Sequence, residues 1–501
     1  MLSLVQSVPP DAPPASFNMA AYVLAQADRL AGKTALTIMD PNSADRHFDY
    51  KTLKRAVLGT ANALRARASP GNRIILQLGN TPELPIAYLA AIAVGIVPVT
   101  LSGGLSDVEY AAIKSEIKPT LELRGPDAKS SIAFEALQDL WTLPPALYAD
   151  GNPDRPAYIV YTSGTSGQSL PVVHAHRAIW ARRMMWDGWY GLRENDRMMH
   201  AGAFNWTYTL GTGLMDPWAI GATALIPTDA TTSEQLPTLM AKHEASLFAA
   251  APGVYRRLLR ANIPSLPALR HGLSAGEKLS DELAETWQAK TGTKVYEAFG
   301  MSECSTFISS APGKPAPKGS SGFVQTGRTV ALIDENGPVP RGEIGTIAVD
   351  KNDPGLMLGY LNQPEQTAAK YQDDWFVTGD TAIMQDDGAI IYQGRVDDMM
   401  NAGGFRVSPV EVEATLTAHP QISEAAAVAV QVRPDVFVIA GFYVSQTVID
   451  EDHLRAFAAT RLASYKTPRI LIARDHLPRG ANNKLLRRQL RHEWETAHGQ
   501  T

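Results

Sequence analysis

Cysteine is almost absent: Cys304 is the only one in 501 residues. A single thiol closes no intramolecular disulfide and builds no cysteine-based zinc site, which excludes a disulfide-stapled small fold and a zinc ribbon. Excess charge of one sign is lacking too. The 46 Lys and Arg stand against 51 Asp and Glu, a formal net charge of −5, so the totals mark neither a polyanion binder nor an acidic tail, and small molecules are the expected partners. No apolar run is long enough to span a bilayer: the longest uncharged stretch, residues 84–99, has 16 residues with Pro and Gly inside it, against roughly 20 needed. It reads as a buried helix running into a strand. The opening MLSLVQSVPPDAPPAS has no Lys or Arg and two proline pairs, so it lacks the charged start and apolar centre of a signal peptide, and a cytoplasmic location is expected. No repeat of solenoid length and no low-complexity tract stands out.

What is present is an ordinary globular composition, 45% hydrophobic and 19% charged, with length for roughly three domain-sized units. Gly and Pro are plentiful at 39 and 34, which predicts many turns. Apolar strands alternate with helical stretches: strand 73–79, helix 82–95, strand 96–101, and then 222–228, 231–243, 246–250, 254–261, 272–277, 280–292 and 294–300. This rhythm predicts largely parallel sheets covered on both faces by helices. From about Thr326 short strands and turn signals take over, with DENG and QDDG where hairpin turns belong. After Arg395 come strand-like runs at 424–432 and 436–444, a helix at 451–463 and a basic tail, together an α+β unit of about 100 residues.

Chemistry concentrates in short loops. In YIVYTSGTSG a β-rich run enters six residues, Thr162, Ser163, Gly164, Thr165, Ser166 and Gly167, that carry a hydroxyl or no side chain. Such a loop brings backbone N–H groups and hydroxyls close to phosphate oxygens, although a flexible surface linker has the same composition. It is not a Walker loop, which needs G-x-x-x-x-G-K-[ST]. His174 and His176 stand two apart with no third ligand, a weak zinc signal.

These loops recur in order. YTSGTSG (161–167), SAGEKL (274–279), YEAFGMSE (296–303), WFVTGD (375–380), GRVDDMMNAGGFRVSPVEVE (394–413) and LPRGANNKLLRRQLR (477–491) together resemble the phosphate loop, adenine-side turn, adenine-and-magnesium strand, ribose motif, hinge with thioester loop, and C-terminal lysine motif of the adenylate-forming acyl-CoA synthetases. FNMAAYVLAQADRLAGKTAL (17–36) resembles the opening of the benzoate-CoA ligase branch. The resemblance implies an α/β fold: a large N-terminal domain of layered α/β subdomains over 1–396, with a β-rich part at about 326–396, and a small mobile α+β C-terminal domain over 397–501.

It also implies an AMP-forming carboxylate–CoA ligase that joins a carboxylic acid to the α-phosphate of ATP, expels pyrophosphate, and passes the acyl group to coenzyme A, with Mg²⁺ as cofactor. Thr162 to Gly167 would hold phosphate. Ser274, Ala275, Gly276, Glu277, Glu297, Ala298, Phe299, Gly300, Met301 and Ser302 would face the nucleotide. Glu303 would hold Mg²⁺, whose hard charge suits carboxylate oxygen. Asp380 would accept from the ribose hydroxyls, Arg395 would contact ribose and phosphate, and Arg406 would assist with phosphates. Lys484 would bridge the attacking carboxylate and the α-phosphate; its bland reading is a solvated basic tail, since residues 461–491 hold nine Lys or Arg against Asp475. Asp397 would be the hinge, and Gly403, Gly404 and Phe405 would line the passage of the pantetheine thiol, unless the glycines make a plain turn. Thr207, Tyr208, Gly300, Thr306 and Phe307 would line the acyl pocket, with Tyr208 as aromatic gate or as core packing.

Two departures matter. Ser169, Leu170 and Pro171 stand where relatives have Pro-Lys-Gly, so the usual phosphate-contacting lysine is missing, worth about 1.5–3 kcal/mol as a charged hydrogen bond. Thr306-Phe307 replaces the His-Ile of benzoate-CoA ligases, which points to another aryl, alicyclic or medium-sized acid. Two further readings remain: an adenylation enzyme loading a carrier-protein thiol, and a catalytically impaired acyl- or nucleotide-binding sensor. The resemblance leaves a homodimer open and implies no nucleic-acid partner and no membrane span.

Overall fold

A computed structural model describes residues 1–162, 169–396, 398–402, 405–433, 436–462, 465–480 and 485–498, with backbone alone at 401, 402, 405, 406, 433 and 436. They fall into two compact units: Gln6–Thr329 with Asp350–Phe376, and Met1–Val5 with Val330–Val349 and the chain from Val377 onward. The α/β reading holds. Among the described residues no helix is long and apolar enough to cross a membrane.

The larger unit contains two sheets. In the six-stranded sheet, Leu121–Arg124, Arg73–Gln77, Val97–Thr100 and Pro156–Tyr161 run parallel, and Pro171–Ala175 and Gly359–Tyr360 are added antiparallel. Helices Glu83–Ala93 and Asp107–Ile117 make the crossovers. Glu83–Ala93 is buried along its whole length, as its uninterrupted apolar stretch predicts. Asp107–Ile117 starts at a Ser106–Glu109 capping box, which satisfies N–H groups the first turn would leave open.

In the nine-stranded sheet, Thr34–Met39, Thr223–Pro227, Arg197–His200, Leu247–Ala250, His271–Ala275 and Lys294–Met301 are parallel neighbours in that order, with antiparallel strands at both edges. Its inner strands are buried on both faces, as parallel strands between helical layers must be. Trp287, Phe248 and Tyr255 anchor one helical layer, with ring centroids 4.9–5.9 Å apart.

The smaller unit has a β-rich part and an α+β part. Leu4–Val5 and Ile344–Asp350 both pair antiparallel with Val330–Asp334, and Trp375–Met384 pairs with Ile390–Arg395. DENG closes the Ile333–Pro338 hairpin and QDDG the Met384–Ile390 hairpin, where the sequence predicts turns. In the α+β part, Ile422–Arg433, Val436–Ser445 and Ile470–Ala473 form a sheet. Alternation along the first strand sends Ala427 and Ala429 into one apolar cluster and Ala426, Val428 and Val430 into another. The basic tail departs from its reading: Arg487–His498 is a helix, with Leu490 fully buried and Trp494 packed beside it in the second cluster. Its many charges hide the short apolar stripe in composition.

Candidate functional site

Ligands of parallel α/β sheets bind beyond the carboxyl ends of the strands, and the residues expected to face a nucleotide gather there in the larger unit. Ser274 pairs with Glu297, and Ala275 with Ala298, on adjacent parallel strands. The first strand leaves the sheet through Gly276, at φ +97° with open space where a Cβ would stand. The second runs through Phe299 and Gly300 to Met301 and turns back through Ser305–Ser309. Gly300 permits that turn: a Cβ there would lie 2.2 Å from the Ser305 carbonyl oxygen. Ser302 and Glu303 occupy the turn between the strands.

Glu303 is buried, and the Tyr360 hydroxyl donates to its Oε1 at 2.7 Å. Oε2 has no protein partner among the described residues. Glu297 is differently placed. Lys278 Nζ reaches its Oε2 at 2.7 Å and Ser321 Oγ its Oε1 at 3.2 Å, while burial raises its pKa against the pull of Lys278. Glu277 is half-buried. The Ser274 hydroxyl is buried with no partner among the described residues.

Ser163 to Gly167 lie outside the described residues, but both ends of their segment are described. Tyr161 pairs with Pro171; Thr162 N–H donates to the Leu170 carbonyl at 2.9 Å, and Leu170 N–H donates to Thr162 Oγ1 at 3.1 Å. Leu170, where relatives carry lysine, therefore closes the base of the segment through its backbone. His174 and His176 point to separate partners. His174 Nε2 lies 2.7 Å from the Ser302 carbonyl oxygen and its ring stacks on Tyr158, whereas His176 Nδ1 accepts from Met19 N–H at 3.0 Å. Burial pulls their pKa values down to about 4 and about 3.

Of the expected acyl-pocket residues, Tyr208 donates to the Leu273 carbonyl at 3.2 Å, with its ring against Trp189 and His200. Thr306 is buried against Met185, and Phe307 is fully buried, edge-on to Phe299. Thr207 lines a small cavity together with Ser302, Ser305, His174 and Arg182.

Arg182 was not singled out by sequence. It is almost fully buried and forks onto Asp216: Nε lies 3.0–3.1 Å from both carboxylate oxygens and Nη2 lies 2.6 Å from Oδ2. Tyr190 and Thr212 complete the cluster, and Nη1 donates to Ser305 Oγ at 2.5 Å. Burial disfavours the Arg182 cation, but Asp216 and Tyr190 outweigh it and hold its pKa above the ordinary value. Tyr190 and Thr212 lie on two π-helical turns, Trp186–Tyr190 and Thr209–Met215, a distortion often found at functional sites. Its five residues span 123 positions of sequence, and no short motif announces them.

In the smaller unit, Asp380 faces Arg395 across the hairpin. Arg395 Nη1 donates to Asp380 Oδ2 at 3.0 Å and the Tyr392 hydroxyl to Oδ1 at 2.9 Å, which fixes the orientation of the carboxylate. Asp380 N–H caps Thr378 Oγ1, anchored on the Ile347 carbonyl.

Asp397, Gly403, Gly404 and Lys484 lie outside the described residues; for Phe405 and Arg406 the backbone pairs with Ala402 and Asn401. The flanks of Lys484 are tied down. Arg479 bridges Leu485, Leu486 N–H donates to the Pro478 carbonyl, and Arg479 pairs with Glu424 at 2.7 Å. Arg487 grips Glu413 with two bonds of 2.6 and 2.7 Å and reaches Asp398 at 3.4 Å.

With this geometry in place, likeness to known proteins is direct. The chain matches the AMP-binding enzyme family over residues 23–361 and the AMP-binding enzyme C-terminal domain over 411–484. It is 30% identical to a 3-hydroxybenzoate–CoA/4-hydroxybenzoate–CoA ligase of Thauera aromatica, covering 89% of this chain and 92% of that one. The solved benzoate CoA ligase from Burkholderia xenovorans LB400 superposes with a TM-score of 0.85 at 28% identity, covering 95% of this chain and 100% of that one. ATP-bound MatB from Rhodopseudomonas palustris superposes at 0.87 with 25% identity, over 96% and 99%. The chain belongs to the AMP-binding enzyme family, the adenylate-forming acyl-CoA synthetases.

Proposed function

We propose that the chain activates an aryl, alicyclic or medium-sized carboxylic acid with Mg-ATP, releasing pyrophosphate, and transfers the acyl group to coenzyme A. The observation that carries this reading is Glu303: a buried carboxylate at the carboxyl end of a parallel strand, fixed through Oε1 by Tyr360 and with no partner at Oε2 among the described residues. A bare carboxylate oxygen so held suits Mg²⁺, which when bound would neutralise charge on the departing pyrophosphate. The benzoate and hydroxybenzoate ligases among its relatives support an aryl acid.

In this reading Thr162 uses its hydroxyl lone pair for Leu170 N–H and keeps its proton for a phosphate oxygen. Ser274 to Glu277 and Glu297 to Ser302 flank the base and α-phosphate. Asp380, oriented by Arg395 and Tyr392, accepts from the ribose hydroxyls. Lys484 supplies the compact cation where the acid's carboxylate meets the α-phosphate, and Arg406 assists. For transfer, Gly403, Gly404 and Phe405 border the thiol's path and Asp397 is the pivot, dividing 1–396 from 397–501. Thr207, Tyr208, Gly300, Thr306 and Phe307 shape the acyl pocket.

Leucine at 170 favours one alternative, a binding protein with impaired catalysis. Both are tested by incubating purified protein with Mg-ATP, coenzyme A and a panel of acids, scoring pyrophosphate release and acyl-CoA by mass spectrometry. Release with acyl-CoA formation is the expected result. Nucleotide binding without release from any acid would favour the impaired protein; release without coenzyme A acylation would point to a carrier-protein acceptor.

A further inference from the structure

The cavity lined by Thr207, Ser302, Ser305, Arg182 and His174 has a volume of about 10 Å³, room for roughly one water or one hydroxyl group of a larger molecule. Its walls differ in hydrogen-bonding sense. Arg182 Nη1 bears two hydrogens, and its acceptor is Ser305 Oγ; Nε and Nη2 are committed to Asp216, Tyr190 and Thr212. One N–H remains to donate. His174 presents the opposite sense. Its Nε2 faces the Ser302 carbonyl oxygen, which can only accept, so the ring proton resides on Nε2 and Nδ1 is a bare acceptor. Nδ1 is buried and has no partner among the described residues, an unfavourable state for a polar atom away from water. Ser305 adds a third sign: it holds φ +65°, a left-handed conformation rare for a residue with a side chain and concentrated at functional sites.

Arg182 and His174 both line this space for one oxygen, and together they offer the donor and the acceptor that complement a hydroxyl group. We propose that Arg182 and His174 form a specificity-determining subsite that takes a hydroxyl carried by the acid substrate, Arg182 donating to its oxygen and His174 Nδ1 accepting its hydrogen. The subsite rests on the ligase reading above, with Thr207 in the acyl pocket. It sets the substrate class as a hydroxy acid and gives the Asp216–Tyr190–Thr212 cluster a task, holding the guanidinium at the cavity wall.

The test compares kcat/KM for pyrophosphate release with benzoate, cyclohexanecarboxylate and their monohydroxy derivatives. At least one hydroxy acid is expected to exceed its parent by about tenfold or more, since a site built to bond a hydroxyl discriminates against the analogue lacking it. His174→Phe keeps a flat ring on Tyr158 but removes the acceptor; Arg182→Lys keeps a cation beside Asp216 but loses the fork. Each should bring the hydroxy-to-parent ratio close to one. A wild type that turns over parent acids as well as every hydroxy acid overturns the subsite, and so do variants that slow both acids by the same factor, which would mean a structural water site only. Should both variants fail to fold, fluoro acids decide with the wild type: fluorine fills the space but donates nothing to His174, so it should behave like hydrogen, and a fluoro acid matching the hydroxy acid refutes the proposal. Pyrophosphate release without hydroxyl preference strikes the subsite alone. No release from any acid removes the ligase reading and the subsite with it.

Discussion

The chain around two sites expected to meet phosphate, Thr162–Gly167 in the larger unit and Lys484 in the smaller, is tied at its described flanks in different ways. Thr162 and Leu170 exchange two neutral hydrogen bonds at the mouth of a strand pair. Around Lys484 a backbone bridge is reinforced by charge: Arg479 on Glu424, and Arg487 on Glu413 and Asp398. The difference teaches where each is vulnerable. A neutral closure inside a sheet depends on packing, and a charged one on the survival of both partners.

The largest way to test that contrast is Lys484→Ala. Pyrophosphate release should fall at least about a thousandfold, while thioester formation from supplied acyl-AMP is spared; equal losses in the two half-reactions would dissolve the division of labour.

Acid comes next. In the folded chain His174 and His200 have pKa values pulled by burial to about 4 and about 3, below the ordinary 6.5, so the unfolded chain binds more protons and stability falls as pH drops below 6.5. Each ring should remove roughly 2 kcal/mol between pH 7 and pH 5, read as a lower urea midpoint; an unchanged midpoint would mean these rings are not held neutral. Arg487→Met should then destabilise the smaller unit by about 2 kcal/mol, because Glu413 loses its fork in a mostly buried setting, with the denaturation transition as readout. Unchanged stability there would place the Lys484 flank's support in the backbone alone. Smallest is Leu170→Lys. The closure uses only backbone groups of Leu170, so the substitution should preserve folding and raise the adenylation rate by about tenfold; no gain would show that phosphate charge is compensated elsewhere.

Much of this was legible beforehand, for reasons that differ by residue. Strands such as His271–Ala275 and Lys294–Met301 are apolar runs bounded by turns, and buried parallel strands must read that way. Glu303 and Asp380 sit inside short motifs whose order survives in the chain. Arg182, Asp216 and Ser305 could not be found so. Their meeting depends on two π-helical turns and a left-handed serine, none of which has a compositional signature. The helix Arg487–His498 was hidden by its own charges, since one buried leucine and one tryptophan are too few to show a period.

The two bonds between Thr162 and Leu170 have a consequence for protein engineering. They fasten the sheet at a joint whose donors and acceptors belong to Thr162 and Leu170 themselves, on either side of positions 163–168. Segments of equal length from slower or faster relatives can be exchanged at this joint, and the transplanted chemistry can be compared while the scaffold beneath it stays the same.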